Sequence, residues 1–178
     1  MDVQAGPTME ELFNQYASAS MVKEGNAFRV VPKGQYAILI KKADPRFTKD
    51  KGDGTEPRPY AHFTADILNS EGKRQAGLFF NASWVEGRRT DGKLDGMSKL
   101  WANIEKAYDM VGKSVGEVLG ACTRYPVYAF IDLYFTDQAD QRHYISSGNG
   151  VSPEDQEKDY YQQGYTPGNS VLNIYTKK

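Results

Sequence analysis

Apolar and polar residues alternate with period two along three early stretches of this chain, then recur at helical spacing, then alternate again. The first stretch, Gly34 to Lys42, sets Tyr36, Ile38 and Ile40 against Ala37, Leu39 and Lys41. The second, Tyr60 to Asn69, sets Ala61, Phe63, Ala65 and Ile67 against Tyr60, His62, Thr64 and Asp66. A tight turn at Ser70-Glu71-Gly72-Lys73 predicts a hairpin into the third, Gly77 to Trp84, with Leu78, Phe80 and Ala82 opposed to Phe79, Asn81 and Ser83. From Asp95 to Val111 the apolar residues Met97, Leu100, Trp101, Ile104, Tyr108 and Val111 form one helical stripe, which places Trp101 in the core. Gly112 is expected to end that helix as its C′ residue, with a further turn at Ser114 to Leu119. Strands four and five follow at Arg124 to Thr136 and Arg142 to Ser146.

Three strands, a helix and two strands is the element order of an OB barrel, a small architecture that binds oligonucleotides or oligosaccharides across one face. The expected fold is therefore mainly β, a five-stranded OB-like barrel with one helix between strands 3 and 4. Two extensions flank it. Thr8-Met9-Glu10-Glu11 is a capping-box pattern, so an N-terminal helix is expected at about Met9 to Ala19. After Ser147 the composition turns to Gly, Pro, Asp, Gln and Tyr, which predicts a mobile C-terminal tail. Its end, Val171 to Tyr175, is apolar enough to dock on the barrel or on a second subunit as an added strand. The organisation reads as 1–27 helical extension, 28–147 binding domain and 148–178 acidic, Tyr-rich tail.

The net charge of −1 conceals an asymmetry. Residues 28–106 carry 15 Lys and Arg against 10 acids, whereas 1–27 carry one Lys against four acids and 107–178 carry six cations against nine. The cations thus gather on the first three strands and their loops, which points toward a polyanion. With two histidines and one cysteine, Cys122, no zinc site of the usual spacing can be built within the chain. Phosphate-loop, nucleophile-elbow and dinucleotide motifs are lacking, and the Asp50–Asp53 loop lacks calcium-loop spacing. Neither a catalytic residue nor a cofactor is expected. Nor does any apolar run reach membrane-spanning length, and Met1 to Gly6 has no signal-peptide pattern, so a cytoplasmic location is expected.

Pleat alternation turns Leu39, Lys41, Tyr60, His62, Thr64, Phe79 and Asn81 outward if the apolar set points in. Single-stranded nucleic acid calls for rings that stack bases, at about 1–3 kcal/mol each, and for cations that track phosphates. The candidate DNA-binding residues are the rings Tyr60, His62, Phe79 and Trp84 with the cations Lys41, Lys42, Arg46, Arg58, Lys73, Arg74, Arg88 and Arg89.

With Gly34-Gln35-Tyr36, Phe63-x-x-x-Ile67, Gly77-Leu78-Phe79-Phe80-Asn81 and the Tyr108-Asp109-Met110-Val111-Gly112 segment before the Arg124–Phe135 strand, the chain resembles phage single-stranded-DNA-binding proteins with an OB fold. The likeness spans roughly residues 30–150. It implies a non-catalytic protein that coats single strands during replication, recombination or repair. Many such proteins recruit replication or recombination partners through an acidic C-terminal tail. Here the acidic stretch Glu154–Asp159 is internal, and the chain ends in Thr176-Lys177-Lys178. A homo-oligomer is compatible with this reading. A virion structural or assembly protein, and a carbohydrate-binding module on the same fold, stand as alternatives.

Overall fold

A computed structural model describes residues 29–176; the expected helix at Met9 to Ala19 lies outside them. The described residues form six antiparallel strands, β1 Gly34–Phe47, β2 Pro59–Leu68, β3 Arg74–Ala82, β4 Val127–Thr136, β5 Arg142–Tyr144 and β6 Thr166–Tyr175. Helices α1 (Gly96–Ala107) and α2 (Val115–Ala121) lie between β3 and β4, and α3 (Pro153–Gln162) lies between β5 and β6.

The long β1 organises the sheet. Its first residues, Gly34 to Ile38, pair with Ile131 to Val127 of β4, and from Ile38 onward it pairs with β2. A bulge separates the pairs Ile40↔Ala65 and Lys42↔Thr64, leaving Lys41 without a partner. One inserted residue reverses the alternation. Lys42 therefore stands opposite Thr64 in the outward row, and Lys41, unpaired beside it, is exposed as well. β2 and β3 form the hairpin expected from their turn, closed by Asn69 Oδ1 accepting from the Glu71 and Lys73 amides at 2.9 and 3.0 Å.

The inward face is built from Ile38, Ile40, Phe63, Ile67, Leu78 and Ile131, all buried, and α1 covers it with Leu100, Trp101 and Ile104. The Asp95 side chain caps α1 by accepting from the Ser98 amide. The helix ends earlier than its apolar stripe suggests. Tyr108 is the C-cap and Asp109 (φ 54°) takes the left-handed position, with Met110 N–H donating to Glu105 O (2.7 Å). This six-to-one closure uses Asp where Gly112 was expected. Val111 consequently falls outside the helix and is exposed. Within α2, a reciprocal capping box joins Ser114 and Glu117. Cys122 follows α2 in the core, and burial pushes its thiol up to about 12.

The region after Ser147 is folded, which overturns the expected mobile tail. Ser152 caps α3 with Pro153 in its first turn. The single buried residue of α3, Gln156, holds the preceding loop: its amide accepts from Ser146 N (3.0 Å) and donates to Ser146 O (2.7 Å) and Val151 O (2.9 Å). β6 then pairs with β4 over nine positions, from Thr136↔Thr166 to Tyr128↔Tyr175, so the docking of Val171–Tyr175 as an added strand is seen within the chain itself. Two further corrections concern the sheet. It has six strands instead of five, because the expected fifth is the three-residue β5 and the long later strand is β6. It also does not close into a barrel. β3 and β6 face each other across a cleft lined by Gly77, Leu78, Phe79, Pro167, Gly168 and Asn169, without ladder hydrogen bonds.

Candidate nucleic-acid interface

The register of β1, β2 and β3 sorts the outward side chains into rows. Arg46 lies opposite Tyr60; Asp44, His62 and Asn81 form the next row; Lys42, Thr64 and Phe79 form the third. Phe79 is 60% exposed in mid-strand, a large apolar ring presented to water. The His62 ring stacks on it, with centroids 5.7 Å apart and planes 12° apart. His62 Nδ1 lies 2.7 Å from Asn81 Oδ1, which fixes the ring's orientation. Tyr60, His62 and Phe79 are thus brought together on one face, with Lys42 and Arg46 on the neighbouring strand.

Most of the expected cations carry carboxylate partners. Lys42 pairs with Asp44 (3.4 Å), Lys73 with Glu71 (3.7 Å), Arg74 with Asp66 (3.0 Å), Arg89 with Asp91 (3.4 Å) and Arg88 with Glu86. Such exposed pairs are worth about 0–1 kcal/mol, so a phosphate can displace the carboxylate at little cost, although the net field is weaker than the cation count implies. Lys41 and Arg46 make no salt bridge among the described residues. By position the cations split. Arg88 and Arg89 follow the end of β3 nearest Tyr60, whereas Lys73 and Arg74 sit at the opposite, hairpin end.

Arg58 belongs to the architecture rather than to a rim. Its guanidinium binds Asp95 Oδ2 (2.5 Å), Val85 O (2.6 Å) and Ser98 Oγ (2.8 Å), tying the loop after β3 to the start of α1. The bound guanidinium holds the Asp95 carboxyl below its ordinary range. A Cβ at Gly87 would collide with both partners, so glycine is what lets that backbone approach. Trp84 also serves packing: it is half-buried, edge-on to Trp101 with centroids 5.5 Å apart, which removes it from the stacking face.

A second aromatic cluster was not expected from the sequence. His143 packs on Tyr160 (5.7 Å) and Tyr165 (5.2 Å), themselves stacked 5.7 Å apart, its Nε2 2.8 Å from Asp137 Oδ2, and that contact lowers the Asp137 carboxyl. Phe135 packs on Tyr160 and Tyr161, joining α3 to β4. On the neighbouring surface the Arg142 guanidinium sits 4.1 Å from the Tyr134 ring centroid, and Tyr144 flanks the same ring at 6.0 Å. The only sequence signal for these groups was the tyrosine content after Ser147, since their partners come from β4 and β5.

Among the described residues no three His, Cys, Asp or Glu side chains converge as metal ligands, and no helix is long and apolar enough to cross a membrane. The chain matches no family model, no curated protein and no solved structure.

Proposed function

We propose that this protein binds single-stranded DNA without catalysis and with little sequence preference, on the outward face of β1, β2 and β3. The observation that carries the reading is the exposed Phe79 ring, stacked with His62, in one row with Thr64 on β2 and Lys42 on β1 and two rows from Arg46 and Tyr60. A flat apolar surface bordered by cations suits unpaired bases and their phosphates, and it discriminates little because every base has a π-face. The order β3-β2-β1-β4-β6 with α1 between β3 and β4 supports an OB-type arrangement, in which β6 serves as the fifth strand and the face of strands 2 and 3 carries the ligand. A role in phage DNA replication, recombination or repair is proposed on the resemblance of the strand segments. Replication or recombination proteins would then be its partners.

Fluorescence anisotropy with labelled oligo-dT at low and high salt tests this. The wild type binds at low salt and weakens as salt rises. Phe79→Ala loses about 5- to 150-fold in affinity, corresponding to roughly 1–3 kcal/mol for one base stack, without a change in melting temperature. No binding at low salt sinks the reading. Stable oligomers indifferent to DNA favour the assembly-protein alternative, and binding of neutral oligosaccharides in its place favours the carbohydrate one.

A further inference from the structure

We infer that the DNA path continues beyond Phe79 through the cleft between β3 and β6 onto a second subsite, built by Tyr134, Arg142 and Tyr144 on the β4–β5 hairpin. The inference rests on the single-strand reading. Phe79 and Tyr134 line one cleft of about 190 Å³, together with the facing strand edges at Gly77–Phe79 and Pro167–Asn169 and the Arg29-Val30 segment, which adds a cation to it. That volume is below the roughly 300–1,000 Å³ of pockets that engulf a whole drug-sized ligand, so the cleft takes a fragment such as one base of a longer polymer. Unpaired strand edges present N–H and C=O groups, which match the edge of a base whatever its identity.

The far side of the cleft is built rather than incidental. The Tyr134 ring rests against Gly168, where a Cβ would come within 2.5 Å of it, so glycine is required for the ring to lie there. The ring in turn carries the Arg142 guanidinium at 4.1 Å. Arg142 makes no salt bridge among the described residues. Beside it Tyr144 is 42% exposed. A positioned cation next to an exposed ring repeats, across the cleft, the pairing of Lys42 and Arg46 with Phe79 and Tyr60. An anionic polymer with flat side groups spans both, whereas a compact ligand fills only one.

Oligo-dT of two lengths, at the extremes of the roughly 4–16 nucleotides that one such fold contacts, separates the subsites. Arg142→Ala and Tyr144→Ala each lower affinity for the long oligomer fivefold or more and leave the short one unchanged. Phe79→Ala weakens both. In Tyr144→Trp, the indole fluorescence is quenched by the long oligomer only, a readout that stands even if an alanine variant folds poorly. If the wild type and Phe79→Ala behave as described while Arg142→Ala, Tyr144→Ala and the Trp signal show no length-dependent effect, the second subsite is refuted and the first remains. If the wild type fails to bind either length, the single-strand reading itself falls.

Discussion

Arg58 and Asp95 show how one residue's role depends on a partner far away in sequence. Read along the chain, Arg58 is one more cation in a basic loop; in the fold it is the link between that loop and the N-terminus of α1. The partner stands 37 positions away, beyond the reach of any local pattern. The outward placement of Phe79 and the burial of Trp101 were legible, because each follows from a period within one element. Asp95→Asn isolates the charge, since Asn caps a helix about as well as Asp. The Asp95 carboxyl is lowered in the folded state, so its contribution is complete above the unfolded value of about 3.9 and fades as pH falls through the lower folded value. Urea titrations at pH 7 are expected to show Asp95→Asn destabilised by about 1–2 kcal/mol. The gap to wild type should close near pH 2; a gap independent of pH contradicts the assignment.

Among the elements, the strands of the first hairpin and the α1 stripe could be read directly, because burial on one face enforces a period. Two devices broke the pattern. The bulge at Lys41 inserts one residue and sets Lys42 opposite Thr64. α3 gives no helical stripe, since Gln156 is its one buried side chain and works by hydrogen bonding. β6 reads poorly as a strand because it contains Pro167, Gly168 and Asn169, yet each has a place: Pro suits an edge strand, Gly168 admits Tyr134, and the Asn169 side chain bonds both Val31 N–H and Val31 O. Removing β6 by ending the chain at Gly164 strips nine ladder positions from β4. At about 0.5–1.5 kcal/mol per hydrogen bond the loss rivals a whole domain's ~5–15 kcal/mol, so that chain is expected to be unfolded or aggregated by circular dichroism and light scattering. A monomer with the wild-type melting temperature would show that β6 is dispensable.

For the molecule as a whole, the charge asymmetry predicted a polyanion-binding half, and the structure tempers it. Arg58 is consumed internally, and the cations Lys42, Lys73, Arg74, Arg88 and Arg89 already face carboxylates. Lys41, Arg46 and Arg142, with Arg29 in the cleft, make no salt bridge among the described residues and remain for phosphate, about four contacts, so log K is expected to fall with log salt at a slope of about −3 for a single strand. A slope near −5 would show that the paired arginines release their carboxylates and engage DNA. The pairing of β4 also bears on how the protein is made. β4, reading Val-Tyr-Ala-Phe-Ile-Asp-Leu-Tyr-Phe over 127–135, meets β1 and β5 along one edge and β6 along the other. On the ribosome, the partner for that second edge is finished only when Tyr175 has been added, 39 residues after Thr136. At roughly 5–20 residues per second, a strongly apolar strand waits about 2–8 s with one edge bare, the interval in which a nascent chain is most open to chaperone capture or to mispairing with its neighbours.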